Sequence, residues 1–63
     1  MKNRLKEIRE EKRMTQEELS TKSGVSRPTI VAIENNTAYN TTLNTLIKLS
    51  DALETSFDKI FLT

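Results

Sequence analysis

Sixty-three residues make one small domain, too small to be robust without well-packed helices, oligomerisation, disulfides or metal. Cysteine and histidine are both absent, which excludes disulfides, thiolate and imidazole metal sites, and the commonest general base. Net charge is only +1, and no apolar run exceeds the four residues Ile30-Val31-Ala32-Ile33, far short of a membrane span or a signal sequence, so a soluble cytoplasmic chain is expected.

Glycine and proline occur once each, which argues against a hairpin-rich β protein. The apolar positions instead recur at helical spacing between polar cap residues. Leu5 and Ile8 set one face of a first helix, Lys2 to about Lys12. Its charges are uneven: Lys2, Arg4, Lys6, Arg9, Lys12 and Arg13 against Glu7, Glu10 and Glu11 give the first thirteen residues a net +3. By itself such a run is an ordinary solvated face. Thr15-Gln16-Glu17-Glu18 is a capping box, in which the Thr15 hydroxyl and Glu18 carboxylate satisfy each other's backbone N–H groups. A second helix follows from Gln16 to about Ser23, with Leu19 inward. Gly24 stops it, because glycine enters the left-handed region without a Cβ penalty. Ser26 caps a third helix with Pro28 in its first turn, where a missing N–H costs nothing. That helix runs to about Glu34 with Ile30 and Ile33 inward. A polar loop, Asn35 to Thr41, leads to a fourth helix capped by Thr42 or Thr41. Its expected core set is Leu43, Leu46, Leu49 and Leu53. Ser56 caps a short fifth helix through Phe57, Ile60 and Phe61, of which Phe57 and Ile60 are assigned to the core.

The second and third helices, joined by about four residues containing glycine, have helix-turn-helix spacing. Leu19, Gly24, Val25, Ile30 and Ile33 must all agree for the two to cross over one core, and Ser20 is small where they approach. The segment QEELSTKSGVSRPTIVAIE, residues 16–34, resembles the phage-repressor (Cro-like, XRE-type) helix-turn-helix family. The likeness spreads over nearly the whole chain, through Leu5-Lys6-Glu7-Ile8-Arg9, Leu43 to Leu53, and Phe57-Asp58-Lys59-Ile60-Phe61. It implies an all-α, five-helix repressor-like DNA-binding domain over residues 1–63, with the helix-turn-helix at about 16–34. The chain departs from the family pattern at Ser20 (often alanine), Ser23 (commonly apolar), Asn36 (often glycine) and Thr41 (a proline before the fourth helix). Asparagine tolerates the left-handed region, so the loop shape is expected to survive. Ser23 is expected to weaken core packing slightly.

In that family the third helix lies in the major groove. With Ile30 and Ile33 inward, Pro28 and Ala32 turn outward, with Arg27 and Val31 on the flanks. An apolar outer face suits thymine methyl groups, and Arg27 can fork onto guanine N7 and O6 or reach a phosphate. Arg27, Pro28, Val31 and Ala32 are therefore the expected base contacts. Pro28 reads equally as a plain helix starter, and Val31 and Ala32 as a small surface contact. Helix N-termini favour anions, which nominates Thr15 and Gln16 on the second helix and Ser26 and Thr29 on the third as backbone contacts. The resemblance implies that Gln16 grips a phosphate and that the loop after the third helix grips another, which adds Asn35, Asn36 and Asn40. Arg13 and Arg4 are electrostatic candidates. Glu34 opposes its helix dipole, and the resemblance implies a structural pair with Arg9.

The expected function is a transcriptional regulator, a repressor that reads a palindromic double-stranded operator as a homodimer. Ile47, Phe61 and Leu62 are the expected self-association patch, unless they merely close the bottom of a monomer core. No nucleophile–base pair can be nominated, so an enzyme is not expected. No metal, cofactor or small-molecule ligand is expected either. An antitoxin or a protein-interaction module keeping the same fold is the alternative.

Overall fold

The computed structural model describes residues 3–38 and 41–61, and these form helices α1 (Leu5–Glu11), α2 (Gln16–Ser23), α3 (Arg27–Glu34), α4 (Leu43–Ala52) and α5 (Phe57–Phe61). The described residues contain no strand. Helix α2 packs against α3 and α4, α1 against α3 and α5, and α4 against α5. Leu5, Leu19, Ile30, Ile33, Leu49, Leu53 and Ile60 are fully buried between them, and each contributes about 1.5–3 kcal/mol of transfer free energy. No described helix is long and apolar enough to cross a membrane.

The first helix starts later than the expected Lys2, at Leu5. Lys2 lies outside the described residues, and Asn3 and Arg4 precede the helix. The Asn3 side chain explains the shift: its Oδ1 accepts the Leu5 N–H at 2.9 Å, and its Nδ2 donates to the Ile33 carbonyl at 2.9 Å. The Arg4 N–H meanwhile donates to the Ile60 carbonyl at 2.8 Å. The start of α1 is thus tied to the ends of α3 and α5.

The second helix begins as its capping box dictates. The Thr15 hydroxyl accepts the Glu18 N–H at 3.0 Å, and the Glu18 carboxylate accepts the Thr15 N–H at 2.8 Å. The backbone N–H of Thr15, with its hydroxyl, holds the Glu18 carboxyl below the ordinary carboxylate range. A depressed folded-state pKa gives stability that is present above the unfolded value and lost as pH falls through the folded one. The native chain should therefore be more stable than Glu18→Gln at neutral pH, with the gap closing in acid. Urea melts at several pH values check this, and a gap that stays constant contradicts it.

At the other end of α2, Gly24 is left-handed, with φ of 77°. A Cβ there would meet nothing within 4 Å, so the backbone alone demands glycine. Gly24→Ala should cost about 1 kcal/mol, or roughly 5 °C in a thermal melt of a domain this size. Helices α1, α3 and α4 end differently, on the left-handed non-glycine residues Arg13, Asn36 and Glu54. Each follows a Schellman pattern: Met14, Thr37 and Thr55 N–H groups return to the Arg9, Ala32 and Ser50 carbonyls. The left-handed Asn36 has the conformation expected for a glycine substitute.

Three core assignments change. Leu43 continues the Leu46–Leu49–Leu53 stripe in sequence but is 62% exposed. It occupies the first turn of α4, and the helical stripe runs on past the body that the helix covers. Phe61, expected on the surface, is 6% exposed and belongs to the core. Phe57, expected in the core, is only half-buried against it. The two rings lie one helical turn apart, with centroids 5.2 Å apart and planes tilted by 46°. Both sit on the packed stripe, and α5 is oriented so that its C-terminal ring is the deeper one.

Candidate nucleic-acid interface

The turn between α2 and α3 is held by two serines. Ser20 Oγ donates to the Val25 carbonyl at 2.7 Å, and Ser23 Oγ accepts the Val25 N–H at 3.1 Å. Val25 itself is buried. Its backbone polar groups are therefore satisfied by side chains where no helical partner exists. Ser23, expected as a small loss of packing, is a hydrogen-bonding part of the turn.

Helix α3 presents Arg27 and Pro28 as exposed residues and Val31 and Ala32 as half-buried ones, while Ile30 and Ile33 are fully buried. The helical phase of this segment matches its sequence pattern. Ser26 has extended backbone at the N-cap, but its hydroxyl pairs with Thr29 Oγ1 at 2.8 Å and takes no helix N–H. The first turn of α3 thus keeps amides without a side-chain cap. At α2 the Thr15 amide and hydroxyl are both engaged with Glu18.

The N-termini of α2 and α3 meet in a surface depression lined by Arg9, Thr15, Gln16, Glu17 and Arg27. Beneath it, Arg9 Nε donates to Glu34 Oε2 at 2.7 Å and Arg9 Nη2 to Glu34 Oε1 at 3.3 Å. The two side chains are 10% and 2% exposed. Arg9 Nη1 also donates to the Met14 carbonyl at 2.7 Å. Glu34 raises the pKa of Arg9 above its already high ordinary value, so the guanidinium stays charged. The pair implied by the resemblance is present. Glu34 Oε1 also accepts Gln16 Nε2 at 3.0 Å, and Gln16 Oε1 accepts Arg27 Nε at 3.4 Å. A polar chain thus runs from Arg9 through Glu34 and Gln16 to Arg27.

The remaining expected contacts are dispersed. Asn35 and Asn36 are exposed at the opposite end of α3, about 12 Å along the axis from its start. The Asn36 carboxamide oxygen accepts from Asn3 Nδ2 at 3.4 Å. Asn40 lies outside the described residues. Arg13 is exposed beyond the end of α1. The Arg4 charge is partly engaged, with Nη2 at 2.9 Å from the Glu7 carboxylate, which also depresses the Glu7 pKa. The sequence carried no signal for the Glu34–Gln16 contact, because eighteen residues separate the partners.

Two helices crossing over a glycine turn, the second with a small apolar outer face and an arginine at its start, define a helix-turn-helix protein. The chain belongs to the helix-turn-helix family, whose model matches residues 5–60. It is 40% identical over 62 residues to an uncharacterised HTH-type transcriptional regulator of Methanocaldococcus jannaschii, covering 98% of this chain and 92% of that one. Two HTH-type transcriptional regulators of Archaeoglobus fulgidus are 39% and 37% identical over 62 residues, each aligned over 98% of this chain and over 86% and 87% of their own lengths.

Proposed function

We propose that this chain is a DNA-binding transcriptional repressor that reads a palindromic operator in the major groove as a homodimer. The observation that carries the reading is the exposed start of α3, with Arg27 and Pro28 projecting and uncapped first-turn amides beside them. Arg27 forks onto a guanine, and Pro28, Val31 and Ala32 meet thymine methyl groups. Gln16, Thr15, Ser26, Thr29 and Arg13, which closely precedes Thr15 in the chain, contact phosphates at the α2 and α3 N-termini, and Asn35 and Asn36 contact another at the far end of α3. Asn40 is proposed as a further backbone contact. The relatives are transcriptional regulators, which supports regulation over catalysis. Selection from a random duplex library tests the reading. The native chain should enrich two-fold-related half-sites, and Arg27→Ala should lose preference at one position per half-site, by roughly 1–3 kcal/mol. No enrichment overturns it.

Two-fold symmetry would place two copies of α3 about 34 Å apart, one turn of B-DNA. Ile47 is 41% exposed on α4 with Leu43 one turn away. These two side chains are proposed as the centre of an isologous contact. Phe61 is already buried within one protomer, and Leu62 lies outside the described residues. A patch of this size gives weak association in free solution that DNA completes. Ile47→Glu should abolish cooperative occupation of a palindromic duplex while leaving the helical spectrum unchanged. Sedimentation with and without duplex measures it, and cooperativity that survives the substitution contradicts this interface. A pure protein-interaction role would use the same exposed patch without salt-sensitive retention on heparin, whereas an antitoxin that still binds DNA would keep it.

A further inference from the structure

Glu34 cannot touch DNA from its place in the ion pair, and a purely structural role would require only its contact with Arg9. Its Oε1 does more, because it accepts Gln16 Nε2 at 3.0 Å. That bond fixes which end of the Gln16 carboxamide faces inward. With the NH2 group turned to Glu34, the oxygen faces outward and accepts Arg27 Nε at 3.4 Å. The opposite orientation would set an NH2 donor against a guanidinium, two donors with no acceptor between them. Gln16 is half-exposed and Arg27 exposed, so neither is held by burial. What restrains them is the carboxylate beneath, which the pairing with Arg9 itself holds in one place. An arginine bound at Nε keeps both terminal NH2 groups free, and these can fork onto a guanine edge.

We propose that Glu34 is a positioning residue for sequence reading: through Gln16 it pre-orients Arg27 with its terminal NH2 groups directed at the groove. The proposal rests on the DNA-reading function above and assigns to that site a residue buried behind it. A preorganised side chain has less freedom to lose on binding, so the gain falls on the cognate sequence, where the fork is made. Non-specific binding, which is set by phosphates, should be unaffected.

The test compares affinity for the duplex selected by the native chain with affinity for the same duplex altered at the guanine read by Arg27. Arg9→Met combined with Glu34→Leu removes the anchor and keeps net charge, and apolar replacement of a buried ion pair is commonly neutral for folding. Gln16→Glu keeps an acceptor for Arg27 but puts a carboxylate where Glu34 needs a donor. Each variant should lower discrimination by at least about threefold, a part of the roughly 5- to 150-fold carried by a bidentate arginine–guanine pair. The double variant should leave the salt slope unchanged. Added to Arg27→Ala, neither change should lower discrimination further, because coupled residues are not additive. If the double variant does not fold, Gln16→Glu alone decides the matter. Full discrimination in a folded variant overturns the positioning role and leaves DNA reading intact. No selected sequence, or Arg27→Ala as discriminating as the native chain, overturns the reading itself and this inference with it.

Discussion

Glu34→Ala should cost about 3–5 kcal/mol of folding stability, because it strands a buried guanidinium. Arg9 is 8% exposed and loses both of its carboxylate contacts, keeping only the Met14 carbonyl. A domain of this size has about 3–9 kcal/mol in total, so the variant should be largely unfolded at 37 °C. The direction follows from an asymmetry: breaking one side of a buried pair is far worse than replacing both sides with apolar groups. Urea denaturation of the native chain, Glu34→Ala and the Arg9→Met, Glu34→Leu variant measures the difference. A loss below about 1 kcal/mol in Glu34→Ala would mean that water reaches Arg9 and that the pair is a surface contact.

The second large effect concerns binding. Affinity for duplex DNA should fall by about a thousandfold between roughly 50 and 200 mM salt, as for about six phosphate contacts shared by two protomers. The neutralising contacts come from the α2 and α3 N-termini and from Arg13, since Arg4 and Arg9 have carboxylate partners and the Asn35 and Asn36 side chains carry no charge. Glu17 and Glu18 in the first turn of α2 work against this term. The α2 end should therefore contribute less than the α3 end. Fluorescence anisotropy across a salt series gives the slope. A slope near zero would remove phosphate neutralisation from the account.

Features governed by a few adjacent residues were legible in the sequence. The Thr15–Glu18 box spans one turn and fixes the start of α2, and Gly24 fixes its end. The phase of α3 follows from Ile30 and Ile33. The illegible features depend on how far one element extends over another. Periodicity places Leu43 with Leu46 and Phe57 with Phe61, but it does not say which member of each pair the neighbouring helices cover. The left-handed Arg13 and Glu54 carry no glycine or asparagine to announce them. At the candidate site, spacing and resemblance supplied Arg27, Gln16 and the Arg9–Glu34 pair. The bond joining Glu34 to Gln16 depends on the crossing of α2 and α3, and only the fold reveals it.

The measurement that bears most directly on the central claim is a residue-resolved NMR titration of the chain with duplex DNA at low salt. Backbone and side-chain signals of Gln16, Arg27, Thr29, Val31, Ala32, Asn35 and Asn36 should shift together. The Arg27 Nε–H should be among the largest, and the signals of Phe57, Asp58 and Lys59 on α5 should stay in place. Shifts concentrated on α5 or on the outer face of α1, with α3 unmoved, would contradict the assignment of α3 as the reading helix.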